Sequence, residues 1–158
     1  MVWAEMEANY SRNSPSMPSD GAGRIKCAMS EKSLPCPCGA SSYAACCQRW
    51  HLGQPAPDAE QLMRSRYSAY VLKLEPYLVA TWHPSTRPVS LALADDDCRW
   101  LGLQVKRHSA HGEDAAEVEF VARYKVAGRA HRLHEISRFV RDAGRWYYVD
   151  GEFPAAAK

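Results

Sequence analysis

Four of the chain's six cysteines fall inside one short string, Cys36-Pro-Cys38-Gly-Ala-Ser-Ser-Tyr-Ala-Ala-Cys46-Cys47. The C-x-C pair supplies one half of a tetrahedral cup and the adjacent pair the other. Pro37, Gly39 and Ser41-Ser42 are turn formers that let the intervening loop fold back. Four soft thiolates with no position left for water suit structural zinc, Zn2+, better than other common metals. The rivals are a disulfide scaffold or redox pair, an Fe–S site and inert thiols. Neighbouring Cα atoms lie about 3.8 Å apart, whereas an unstrained bridge needs about 4.4–6.8 Å. A Cys46–Cys47 bridge would therefore be strained, as would Cys36–Cys38, although cross-pairing between the halves stays open. The spacing fits neither common ferredoxin pattern. His51 lies closely enough behind to replace one cysteine, and Cys27 stands apart as a non-ligand.

The stretch around these cysteines carries few large apolar side chains, chiefly Leu34, Tyr43 and Trp50. It cannot offset its own chain entropy by burial. A bound zinc would close that gap, since structural zinc contributes about 10–16 kcal/mol in short peptides near neutral pH.

The string Cys36-Pro-Cys38-Gly…Tyr43…Cys46-Cys47 resembles the SEC-C motif, the zinc-binding tail also found on the bacterial translocase SecA. Further motifs come in order along the chain: Leu62-Met63-Arg64-Ser65-Arg66-Tyr67-Ser68-Ala69-Tyr70, Thr81-Trp82-His83-Pro84-Ser85-Thr86-Arg87, Leu133-His134-Glu135-x-Ser137-x-Phe139 and Trp146-Tyr147-Tyr148-Val149-Asp150-Gly151. Together they resemble the bacterial YchJ family over residues 34 to 153. The resemblance implies a nuclear transport factor 2-like (NTF2-like) fold after the cysteines, a curved sheet closed by helices. It also implies, by analogy with the SecA tail, which docks a chaperone and ribosomes, a knuckle that docks a protein partner. One departure stands out. The family usually reads Cys-Gly-Ser-Gly-Lys where this chain has Gly39-Ala40-Ser41-Ser42, so a role for that lysine or second glycine does not carry over.

The expected organisation is a disordered tail over 1–30, a zinc knuckle over 33–51, an α+β domain over 57–153 and a flexible end at 154–158. Residues 1–30 are rich in Ser, Pro, Asn and Gly without helical or strand period. Met29 could be the natural start, or the tail could be genuine. No basic start leading into an apolar core marks a secretory signal. No apolar run approaches the roughly 18 residues of a membrane helix. Six cysteines without an export signal fit a cytoplasmic setting. The formal charge of +2 falls to zero once one zinc and four thiolates are included. Such a balance gives no reason to expect a nucleic-acid partner.

A short helical turn is expected over Tyr43–Arg49. Asp58 with Gln61 forms a capping pattern for a helix to about Leu72, whose buried stripe would be Leu62, Met63, Tyr67, Tyr70, Val71 and Leu74. Arg64 and Arg66 flank it as solvated charges. Glu75-Pro76 opens a second helix that stops before Pro84, with His83 over its last carbonyls. Strands are expected at 99–107, 116–126, 131–141 and 145–151, with turns at Gly128 and Ala143-Gly144. They make a curved, mostly antiparallel sheet packed with helices, an α+β architecture.

On the third strand Glu135 and Ser137 lie between Leu133 and Phe139 on what should be the inward face. A carboxylate there either pairs with a cation, for which Arg64, Arg66 and Arg87 are candidates, or titrates abnormally. The candidate catalytic residues are Glu135 or Asp150 as base and His83 or His134 as acid. The candidate ligand-binding residues are Arg64, Tyr67, Arg87, Ser137 and Tyr148. Asp150 is expected on the same face of its strand as Tyr148. Three functions are open: an adaptor whose zinc knuckle docks a protein, an isomerase- or dehydratase-type enzyme with a small-molecule pocket, and an RNA-binding knuckle through Lys32, Tyr43, Arg49 and Trp50. The first is preferred, so an enzymatic role is not the expected one.

Overall fold

The computed structural model describes residues 34–93 and 97–154. The expected tail at 1–30, with Cys27 and Met29, lies outside them, as do Lys32 and the last four residues. Three helices precede four strands: α1 (Gln48–His51), α2 (Ala59–Val71), α3 (Glu75–Ala80), β1 (Arg99–Ala110), β2 (Ala115–Val126), β3 (Arg129–Asp142) and β4 (Arg145–Glu152). The strands pair antiparallel in sequential order β1-β2-β3-β4.

The sheet is built as two-residue hairpins where the turn chemistry permits them. Ala127-Gly128 and Ala143-Gly144 both take two successive positive φ values, 48° and 79°, then 47° and 77°. Two positive φ values match the right-handed twist of the flanking strands. On β2 the alternation holds: Val118, Phe120 and Ala122 are buried against the helices, while Arg123 and Lys125 are exposed. Val121 is the exception, buried on the outer face at 3% exposure.

The α2 helix is the centre of the molecule. Asp58 caps it, its carboxylate accepting from the Gln61 amide at 2.7 Å. The expected stripe is only part of what it buries. Ser65, Ser68 and Ala69 are fully buried, and Arg66 is 5% exposed. The helix is thus covered on two sides, by the sheet and by the cysteine knuckle. Cys36, Cys38 and Cys47 belong to the same apolar core as Leu62, Tyr67, Phe120 and Tyr148. Small residues at 65, 68 and 69 let the knuckle backbone come close.

Several local expectations are corrected. The helical turn near the cysteines begins later, at Gln48, with Cys47 at its N-cap. Pro76 does enter a helix, but Leu74 is the N-cap; Glu75 turns to the 90–93 loop, accepting from the Leu91 and Leu93 amides and the Ser90 hydroxyl. Those amides hold its carboxyl below the usual range, Leu91 above all. His83 does not sit over the α3 carbonyls. Its Nδ1 is 2.6 Å from the Ser85 hydroxyl, and the Trp82 carbonyl is taken by Arg87 through Nε and an Nη. The 81–87 segment instead docks along β4: the His83 amide donates to the Tyr148 carbonyl, and the Tyr148 amide to the Thr81 carbonyl. That contact covers the edge strand of the sheet.

Candidate metal centre

Local hydrogen bonds shape the knuckle before any ion is considered. The Gly39 amide donates to the Cys36 carbonyl, the Cys36 amide to the Ala40 carbonyl, and the Tyr43 amide to the Leu34 carbonyl. These turns bring Cys38 back over Cys46 and Cys47. All four ligand-capable sulfurs lie within 4.8 Å of one another. Two of the separations are 3.6 Å, Cys38 to Cys46, and 3.8 Å, Cys46 to Cys47. A tetrahedron with metal–sulfur bonds of about 2.3 Å has edges of about 3.8 Å. A disulfide needs about 2.05 Å, and all four thiols are unbridged. The residues present therefore fit a tetrahedral ion and could hold one.

The thiols polarise one another. The Cys47 thiol and, against the opposing effect of burial, the Ala40 amide hold Cys38 down at about 4. Burial and the charge placed on Cys38 push Cys46 up to about 11; donation to Cys38 and burial raise Cys47 as well. The Ser68 hydroxyl donates to Cys47 Sγ at 3.3 Å and lies 3.7 Å from Cys36 Sγ, so α2 backs two of the ligand-capable sulfurs.

His51 is not turned toward the sulfurs. Its Nε2 is 2.8 Å from the Ser65 carbonyl, which can only accept, so Nε2 carries the proton. Nδ1 then accepts from the Tyr43 hydroxyl at 2.7 Å. Burial lowers the His51 pKa, which keeps the ring neutral in this bridge from knuckle to α2.

The candidate residues of the second region separate into two groups. Glu135, Ser137, Tyr148 and Tyr67 come together in the core with Arg66. The fully buried Glu135 carboxylate accepts from the Ser137 hydroxyl at 2.7 Å and the Tyr148 hydroxyl at 3.2 Å. Burial, then the Glu135 charge, raises the Tyr148 phenol well above its ordinary value, while Arg66 pulls it down. Arg66 is not the solvated charge expected: its guanidinium stands over the Trp82 and Tyr148 rings at 5.1 and 4.7 Å and donates to the Leu78 carbonyl and the Thr81 hydroxyl. The cavity beside this cluster, between Arg66, Tyr70, Phe120 and Tyr148, measures about 20 Å³, room for about one water.

The other candidates lie elsewhere. Arg64 pairs with Glu60 along the helix at 2.8 Å. His134 is on the outer face of the sheet, 2.9 Å from Glu119. Asp150 is there too, on Arg138 at 2.6 Å, and not on the Tyr148 face. The cause is a register shift: Phe139 pairs with Tyr148 but Arg138 with Asp150, leaving Val149 as an extra residue that flips the rest of the strand. Sequence reasoning missed Ser65, Ser68 and Gly151. Arg66 stands four residues from both Leu62 and Tyr70, a spacing that puts it beside the apolar stripe without telling a buried cation from a flanking one.

A cysteine cup set on the helix of an NTF2-like sheet defines a SEC-C-type α+β protein. Residues 58–151 match the family described as YchJ, middle NTF2-like domain, and the chain belongs to that family. It is 64% identical over 121 residues to a UPF0225 protein of Methylibium petroleiphilum, covering 75% of this chain and 88% of that one. A UPF0225 protein of Chromobacterium violaceum is 61% identical over 123 residues, covering 73% and 90%. Among solved structures, a SEC-C motif containing protein from Rhodopseudomonas palustris aligns with a TM-score of 0.70 at 34% identity, covering 77% of this chain and 100% of that one. A SEC-C motif containing protein from Psychrobacter arcticus gives 0.65 at 29%, covering 82% and 86%.

Proposed function

We propose that the chain is a zinc-stabilised adaptor whose knuckle docks a protein partner. Zinc is the ion that four thiolates at tetrahedral spacing favour most, in a closed structural site. The observation that carries the docking role is the apolar surface left at the knuckle. Leu52, just after α1, is 78% exposed and Leu34 75%. Beside Leu52 in the chain, Trp50 and Gly53 line a hollow of about 120 Å³ shared with Pro55, Tyr77 and Trp146. The Arg49 guanidinium lies 4.6 Å from the Trp50 ring centroid, a cation next to the same surface. Apolar anchors beside a polar rim are the usual make-up of a protein docking site.

The size of the inner cavity favours this reading over a small-molecule enzyme, since ligand sites usually enclose about 300–1,000 Å³. No helix among the described residues is long and apolar enough to cross a membrane. A cytoplasmic setting is part of the proposal, because reduced thiols are needed to hold the ion.

A photocrosslinking residue at position 52 tests it in cells. Adducts with a defined protein are expected from position 52, and their loss when the cup is broken by Cys47→Ser. The same label on Lys106, exposed on β1, should give none. Absence of adducts from positions 34, 49 and 52 alike would remove the knuckle as a docking surface.

A further inference from the structure

The outer face of the sheet has two halves of different character. Toward the β3–β4 hairpin its carboxylates have partners: Arg107 and the His134 ring on Glu119, the His111 ring on Glu117, and Arg138 on both Asp150 and Glu152. Toward the β2–β3 hairpin the charges are not matched. The register sets Arg99 directly opposite Lys125, and Arg123 directly opposite Arg132. All four side chains are exposed on that face. Like charges directly opposite across strands are destabilising. Among the described residues none of the four forms an ion pair. Asp97, two residues before Arg99 and exposed, forms no ion pair with any of them among the described residues.

The same half contains a hollow. The β1 register shifts between Trp100 and Gly102, leaving Leu101 as the extra residue, 45% exposed. A Cβ placed on Gly102 would meet nothing within 4 Å. Leu101, Gly102, Gln104, Val121 and Arg123 bound a space of about 300 Å³. An apolar floor and an arginine rim thus stand side by side.

We propose that this half of the face binds single-stranded nucleic acid, with arginines on the phosphodiester backbone and the sugar–base part against Leu101 and Val121. Three of the four cations are arginine, whose planar fork matches phosphate oxygens two at a time. Neighbouring strands stand about 4.8 Å apart and same-face residues about 7 Å apart along a strand. A patch two rungs long therefore reaches about three or four phosphates. Duplex binders typically neutralise about six to ten, so the patch fits a single strand. The partner meets the sheet and not the knuckle, which leaves the adaptor reading independent of it.

The test is fluorescence anisotropy of the full chain, zinc retained, with a labelled twelve-residue oligouridylate between 50 and 200 mM KCl. Binding is expected, with log K falling against log salt at a slope of about −2 to −3, the release of about three or four counterions from a single strand. Arg132→Glu is expected to weaken binding at least tenfold while leaving the melting temperature unchanged or raised, because it turns a repulsive cross-strand pair into an attractive one. Arg141→Glu, the same charge change at the far end of β3, should stay within twofold of the parent chain. No binding at 50 mM KCl would overturn the proposal. So would equal losses from Arg132→Glu and Arg141→Glu, or binding of a polyglutamate peptide as tight as that of the oligonucleotide.

Discussion

Cys47→Ser is expected to release the ion and to lower the melting temperature of the whole described fold by on the order of 10 °C, in one transition. The reason lies in where Cys47 sits. It is fully buried, accepts from Ser68 of α2, and belongs to the core that also contains Phe120 of the sheet. From the cysteine spacing alone, breaking the cup should unfold a knuckle and leave the second part intact. The shared core makes that separation unfavourable: loss of the ion uncovers one side of α2, the helix on which the sheet packs. Structural zinc is worth about 10–16 kcal/mol in isolated peptides. Loss of even about 4 kcal/mol would move the midpoint of a fold this size by roughly 10 °C. Cys98→Ser, outside the cup, should retain the full ion content. Scanning calorimetry separates the alternatives. Two transitions, the second at the parent temperature, would show that knuckle and sheet fold independently.

Gly151→Ala should be as damaging for a different reason. A Cβ at 151 would overlap the carboxylate and Cγ of Glu135. Glu135 is fully buried and held by Ser137 and Tyr148, so it has no solvent into which to swing. Overpacking of this kind costs about 1–3 kcal/mol, and displacing the carboxylate from its two donors adds about 1–3 kcal/mol. Urea denaturation should show the sum as a lower midpoint at unchanged slope. In the double variant with Glu135→Ala the two effects should be less than additive, because the overlap disappears with the carboxylate. A Gly151→Ala chain within about 0.5 kcal/mol of the parent, the range of an ordinary surface change, would mean that Glu135 is not confined as described.

The cysteine cup was legible because spacing and side-chain chemistry decide it locally. The sheet was legible because period-two alternation on β2 and the Ala143-Gly144 turn act within one hairpin. What could not be read depended on contacts between distant segments. Arg66 has the sequence surroundings of a surface charge, and only the rings of Trp82 and Tyr148 make its burial tolerable. Asp150 was placed on the wrong face because one bulged residue, Val149, reverses the alternation and leaves no mark in composition. The outer-face cations were hidden in a near-neutral total of +2. Only the register shows that partnered carboxylates gather at one end and unmatched cations at the other. Ser65 and Ser68 look like ordinary helix polar residues until the knuckle is found lying on them.

The central claim is that four thiolates hold one zinc ion in the core. Elemental analysis combined with a thiol titration before and after chelation tests it most directly. The expected result is one zinc per chain, with the four cup thiols protected at first and all six cysteines reactive after the ion is removed. No bound metal, or fewer than six reactive thiols in chelator and denaturant, would contradict it and return the cup to disulfides or inert thiols.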